Sequence, residues 1–160
     1  MKEKIAEKLQ HAFSKSIQSV SDFRGELTVI VEKDALFSIC QFLRDEEELC
    51  FDSLRDLCGV DYYKPEDRYE VVYNLYSIKY NVRLRLKVRV DESDLHVPSV
   101  CSIWSTANWL ERETYDMFGI KFDNHPDLRR MYMPEEFEYY PLRKDFPLMG
   151  IPGSLSLPRK

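Results

Sequence analysis

Residues 69–90 read YEVVYNLYSIKYNVRLRLKVRV. Tyr69 to Ser77 and Val82 to Val90 are two runs rich in β-formers, joined by a short polar link around Lys79 to Asn81, and this predicts an antiparallel hairpin. In the second run Val82, Leu84, Leu86, Val88 and Val90 alternate with Arg83, Arg85, Lys87 and Arg89. A period of two puts the apolar side chains on one sheet face and the four cations on the other. A basic sheet face suits an acidic partner or phosphate. More commonly it is solvated or balanced by carboxylates on a covering element.

The chain before the hairpin reads as the first part of an α/β domain. Ile5, Leu9, Phe13, Ile17 and Val20 recur at three and four, which predicts an amphipathic surface helix over Lys4 to Val20. Glu26 to Val31 is β-branched and apolar, a buried strand. Asp34 stands where an N-cap belongs, and Ala35, Leu36, Ile39, Cys40 and Leu43 follow at helical spacing. The acidic run Asp45 to Glu48 opposes a helix C-terminal dipole and ends that helix. Cys58 to Tyr63 reads as a further strand, with a turn at Lys64 to Asp67.

After the hairpin, Asp91 to Pro98 reads as a loop. Ser99 can cap a helix whose stripe runs Val100, Ile103, Ala107, Leu110, Thr114 and Met117. This helix presents Asn108, Glu111, Arg112, Glu113 and Asp116 on its opposite side, with Arg112 and Asp116 an ion pair at i,i+4. Gly119 falls where a C′ glycine stops a helix, and Ile120 to Phe122 suits a short edge strand. Six of the eight prolines lie from Pro126 onward. They interrupt regular structure, yet Phe122, Tyr132, Phe137, Tyr140 and Phe146 make the segment too aromatic for a disordered tail. It must lie against its own domain or against another subunit. The expectation is therefore one α/β domain over residues 1–118, and an extended docking segment and tail over 119–160 that is no independent domain.

Composition narrows the function. The chain has 160 residues, long enough to bury roughly 70% of its unfolded surface. A formal charge of −5, from 23 basic and 28 acidic residues, argues against nucleic-acid binding by phosphate neutralisation. No apolar run reaches the ~18–20 residues that cross a bilayer, and the N-terminus lacks the apolar stretch of a signal peptide. Membrane association is expected only through a partner. Cys40, Cys50, Cys58 and Cys101 form no C-x-x-C pair and have no histidine at ligand spacing, so no zinc or iron–sulfur site is expected from this chain. Cys40 and Cys101 read as small core residues.

An active site is conceivable around the last helix: a metal held by Asp123, His125 and Asp127, or acid–base chemistry by Glu113 and His125. The spacing matches no established ligand set, and the chain has no glycine-rich phosphate loop. Arginines among aromatics and carboxylates, as at Arg129, Arg130, Arg143 and Lys144, are instead the composition of an interface.

The same residues carry a resemblance. Glu111-Arg112-Glu113, then Asp116, Met117-Phe118, His125, Arg129 and Met131-Tyr132 resemble the signature of the family of C subunits of NADH-quinone oxidoreductase. The run Pro141-Leu142-Arg143-Lys144-Asp145-Phe146-Pro147 resembles its second hallmark, and Gly59-Val60-Asp61-Tyr62 and Ala107-Asn108-Trp109 are similar too. The family usually has Trp and Gly where Phe137 and Tyr139 stand, so the local turn is expected to differ. The resemblance implies a mixed sheet with an antiparallel hairpin, flanked by helices, and an extended tail. It implies a scaffold without a redox centre in a proton-translocating complex whose FMN, iron–sulfur clusters and quinone lie in other subunits. It further implies docking onto the D subunit near the quinone site, peripheral on the cytoplasmic side of the membrane. Glu111, Arg112, Glu113, Asp116, His125, Arg129, Arg130, Pro141, Leu142, Arg143, Lys144 and Asp145 are then interface residues. The alternatives are the equivalent subunit of a membrane-bound hydrogenase or ferredoxin-fed dehydrogenase, and a stand-alone enzyme using His125.

Overall fold

A computed structural model describes residues 1–150. In chain order the elements are α1 (Lys2–Phe13), β1 (Ile17–Phe23), β2 (Glu26–Val31), α2 (Leu36–Asp45), β3 (Ser53–Asp61), β4 (Tyr69–Ser77), β5 (Val82–Val90), β6 (His96–Pro98), α3 (Ala107–Phe118) and β7 (Lys121–Asp123), with 3₁₀ turns at Lys33–Ala35 and Glu92–Asp94. The hairpin forms as predicted, with β4 and β5 paired antiparallel from Tyr69 opposite Val90 to Ser77 opposite Val82. β3 adds antiparallel to β4, β2 adds parallel to β5, and β1 adds antiparallel to β2. The result is a mixed α+β fold with a five-stranded sheet in the order β1-β2-β5-β4-β3.

The alternation in β5 decides where the helices go. Its apolar positions Leu84, Leu86, Val88 and Val90 are buried. They join Val29, Leu57 and Tyr73 of neighbouring strands in one core with Ile5 and Leu9 of α1, Ile39 and Leu43 of α2, and Phe118 of α3. The three helices thus back one face of the sheet. On the other face, Arg85 pairs with Glu26, Lys87 with Glu70 and Arg89 with Asp67. The balance by carboxylates anticipated for the basic face is present, but it comes from the sheet and its turns.

Several boundaries differ from the sequence reading. α1 stops at Phe13, and Ile17 and Val20 belong to β1. Their spacing matches a helical stripe by coincidence, and pairing with β2 wins over local periodicity. Asp34 lies within a 3₁₀ turn and makes no capping bond to α2. β3 starts five residues earlier than Cys58 and ends at Asp61. Part of the expected loop before Pro98 is β6, paired in parallel with β7. α3 begins at Ala107, not at Ser99, because Val100 to Thr106 forms tight turns instead. The acidic run after α2 does end it, and Glu46 and Glu48 are held by Lys8 of α1. Gly119 closes α3 in the left-handed region, φ 80°, as expected.

Candidate functional site

The sequence places the charges of α3 on an outward side. The fold does the opposite: Glu111 and Asp116 are fully buried and Arg112 nearly so. The reason is the segment from residue 124 to 150, which folds over this side of the helix without regular structure.

Asp116 is its first anchor. Its Oδ2 accepts the backbone N–H groups of Met131, Tyr132 and Met133 at 3.0, 2.6 and 3.1 Å. Its Oδ1 accepts from Arg130 Nη1 at 2.9 Å. Burial pushes the Asp116 carboxyl up, but these four donors outweigh burial and hold it below the ordinary carboxylate range. Arg112 does not pair with Asp116. Its guanidinium lies over the Trp109 ring and Nε donates to the carbonyl of Arg129.

Asp61, at the end of β3, is the second anchor. It accepts Arg68 Nε and Nη2, each at 3.0 Å, and the N–H groups of Tyr63 and of Lys144, each at 2.8 Å. Burial again opposes ionisation, and the Arg68 fork and backbone donors again win, lowering its pKa. Arg68 also reaches Glu92 and Asp145. The seven-residue hallmark is thereby fixed to the sheet edge. The amide of Leu142 donates to Met117 O, and Arg143 Nε donates to Phe118 O at 2.6 Å. The Arg143 guanidinium lies over the rings of Tyr69 and Tyr140. A Cβ at Gly119 would meet Arg143 Nη2 at 2.6 Å and Tyr140 at 2.7 Å, so glycine is required there for space as well as for φ.

Glu111 and His125 form a third buried group. Glu111 accepts from Ser99 Oγ at 2.6 Å, Val100 N at 2.8 Å and the Cys101 thiol at 3.3 Å. Burial raises its pKa against these bonds. His125 accepts the Asp127 N–H at Nδ1 (3.0 Å) and meets the Asn108 carbonyl at Nε2 (3.2 Å), which assigns the proton to Nε2. Burial, aided by the nearby charge of Arg112, depresses its pKa. The ligating atoms of Cys101, Glu111 and His125 lie within 4.8 Å of one another. Sequence spacing gives no hint of this approach, because a fold contact creates it. Yet both His125 nitrogens and both Glu111 oxygens are engaged in hydrogen bonds, and burial pushes the Cys101 thiol up to about 12. The cluster is built as a hydrogen-bonded buttress.

The conceivable active sites do not assemble. Asp123 pairs with His96 and Asp127 with Arg129, so neither converges with His125 on a metal. Glu113 points outward, away from buried Asp116. Pro141 is half-buried, while Arg129, Leu142, Lys144 and Asp145 are exposed. Tyr132, Tyr139 and Leu142 of the segment, and Trp109 of α3, are between 47% and 59% exposed. Tyr139 takes no positive φ. The last part of the expected tail, residues 151–160, lies outside the described residues. Among the described residues no helix is long and apolar enough to cross a membrane. The sequence reading misses Asp61 and Arg68 as anchors; a carboxylate at a strand end gives no sign that it will receive an amide 83 residues downstream.

A five-stranded mixed sheet backed by helices, with a long irregular segment fastened to it, defines the class of this α+β domain. The family described as "Respiratory-chain NADH dehydrogenase, 30 Kd subunit" matches residues 29–152, and the chain belongs to it. Among its relatives is the C subunit of the NADH-quinone oxidoreductase of Geotalea uraniireducens, 50% identical over 143 residues that make up 89% of this chain and 86% of the relative. The C subunit of the Geobacter sulfurreducens NADH-quinone oxidoreductase is 49% identical, over 89% of this chain and 88% of the relative. A solved structure described as "Nqo5 of the trypsin-resistant fragment (1-134)" superposes with a TM-score of 0.67 at 32% identity, covering 80% of this chain and all of that one. A chain of the "membrane-bound sulfane sulfur reductase (MBS), an archaeal respiratory membrane complex" shares the fold, with a TM-score of 0.78 at 22% identity over 92% of this chain and 86% of that one.

Proposed function

We infer that this chain is a scaffold subunit of a proton-translocating NADH–quinone oxidoreductase, and that residues 119–160 are its docking segment. In this reading the chain holds no redox group, and FMN, iron–sulfur clusters and quinone belong to its neighbours. The exposed side chains of Trp109, Tyr132, Tyr139 and Leu142 rest on the D subunit near the quinone site, at the cytoplasmic side of the membrane. One observation carries the proposal: apolar rings stand exposed on a segment that two buried carboxylates hold fixed. Exposed aromatics on a pre-ordered backbone lose little entropy on binding, which is how interface hot spots act. Arg129, Lys144 and Asp145 supply a charged rim. Glu111, Arg112, Asp116, Arg130 and Arg143 serve this interface from beneath, by shaping the segment.

A related membrane complex with another electron donor is the second reading, since the fold recurs in the sulfane sulfur reductase complex. The relatives near 50% identity bear the NADH-quinone name, which favours the first. The test is copurification of a tagged chain from its own membranes. NADH-binding flavin subunits together with the D subunit are expected. A set of partners without any flavin subunit would move the assignment to the second reading.

A further inference from the structure

The uncovered face of the sheet holds a feature that the docking segment does not explain. At the end of the hairpin, Arg55, Arg83, Arg85, Asn74, Tyr76 and Glu26 line a hollow of about 450 Å³. Three arginines face one glutamate there, in a chain whose net charge is −5. Arg85 is already committed, to Glu26 through Nη2 and to Asn74 through Nε. Lys87 and Arg89, further along the strand, are matched by Glu70 and Asp67. Arg83 and Arg55 are exposed and have no carboxylate partner among the described residues. The guanidinium of Arg55 lies 4.8 Å from the centroid of Tyr76, and Tyr76 is the cross-strand partner of Arg83. An aromatic ring thus separates two uncompensated guanidinium groups on a rigid sheet.

We propose that this hollow receives an acidic segment of a second polypeptide, bound in extended form; the proposal rests on the reading that the chain works inside a larger assembly. Charge complementarity selects the occupant. A guanidinium fork matches a carboxylate bidentately. Two acidic residues two positions apart on an extended peptide stand roughly 7 Å apart on one side, within reach of two flexible arginine side chains from β3 and β5. Among the described residues, only strand residues line the hollow, with no glycine-rich turn or helix N-terminus to cradle a phosphate group. Arg85, its charge matched by Glu26 and its Nε held by Asn74, gives the floor a fixed shape and leaves Arg55 and Arg83 to meet the partner's carboxylates.

The test places the photo-crosslinker p-benzoylphenylalanine at Tyr76 of the full chain, in its own membranes, and identifies the captured peptide by mass spectrometry. A second chain carries the crosslinker at Leu142. The expected result from Tyr76 is a partner segment with closely spaced Asp or Glu, its yield falling about tenfold or more in the Arg55→Glu/Arg83→Glu variant. The Leu142 crosslink should be unchanged in that variant, which shows that it folds and assembles. Capture of lipid, of a second copy of this chain, of a segment without acidic residues, or of nothing would overturn the proposal. So would a yield that charge reversal leaves unaltered. Loss of the Leu142 crosslink in the unsubstituted chain counts against the docking segment alone.

Discussion

The carboxylate of Asp116 lies 2.6 Å from the amide nitrogen of Tyr132, sixteen residues further along the chain. That contact, shared with Met131 and Met133, turns a proline-interrupted segment into a fixed surface. Asp116→Asn keeps the shape but removes the charge that four donors face. It is expected to cost about 2–4 kcal/mol, read as a lower urea midpoint, and to speed tryptic cleavage after Arg129 and Arg130.

Gly119→Ala should be worse than an ordinary glycine replacement. A left-handed φ costs an L-residue about 1–2 kcal/mol. The added methyl also displaces Arg143 and Tyr140. Hydrogen exchange at the Leu142 amide, bonded to Met117 O, is expected to lose protection before the amides of β4 and β5 do.

The pH dependence follows from the buried groups: Asp61, Asp116 and His125 act in one direction, while Glu111, whose folded pKa burial raises above the ordinary 4.5, partly offsets them as it takes up its proton. Asp61 and Asp116 have folded pKa values below the ordinary 3.8. Their stabilisation is complete above that value and is lost as pH falls through the folded values. His125 is held neutral, its folded pKa below the ordinary 6.5. The unfolded chain therefore takes up that proton first, and stability drops as pH falls below about 6.5. Urea midpoints measured from pH 8 to pH 3 should decline in two stages. His125→Gln should remove the first stage, and Asp116→Asn should shrink the second.

Much of the fold is legible in the sequence, and the hairpin shows why. Alternation in Val82–Val90 leaves only one arrangement, so both strand ends can be found. Glycine at a helix end is equally direct, as at Gly119. Ile17 and Val20 mislead because the spacing of a few apolar residues cannot show which strand will claim them. The charged side of α3 misleads for a deeper reason. Glu111 and Asp116 look like surface residues until the chain returns over them, and only long-range contacts decide that. The charged residues of α3 are conspicuous in the sequence, while their inward orientation, and the anchoring of the segment by Asp61 and Arg68, are not.

Stability and docking are separable on this surface. Trp109 and Leu142 are exposed; replacing them leaves the hydrophobic core intact, and Trp109→Ala removes only the ring over which the Arg112 guanidinium lies. Leu142→Glu is expected to shift the urea midpoint by less than about 0.5 kcal/mol equivalent, and Trp109→Ala by no more than about 1 kcal/mol equivalent, the worth of its cation–π contact with Arg112.

Docking is read directly from the yield of the D subunit recovered with a tagged chain from its own membranes, compared between the unsubstituted protein and Trp109→Ala/Leu142→Glu. A loss of about tenfold or more is expected, with the urea midpoint of the purified variant lowered by no more than about 1 kcal/mol equivalent. Equal recovery of that neighbour by both chains would contradict docking through these side chains.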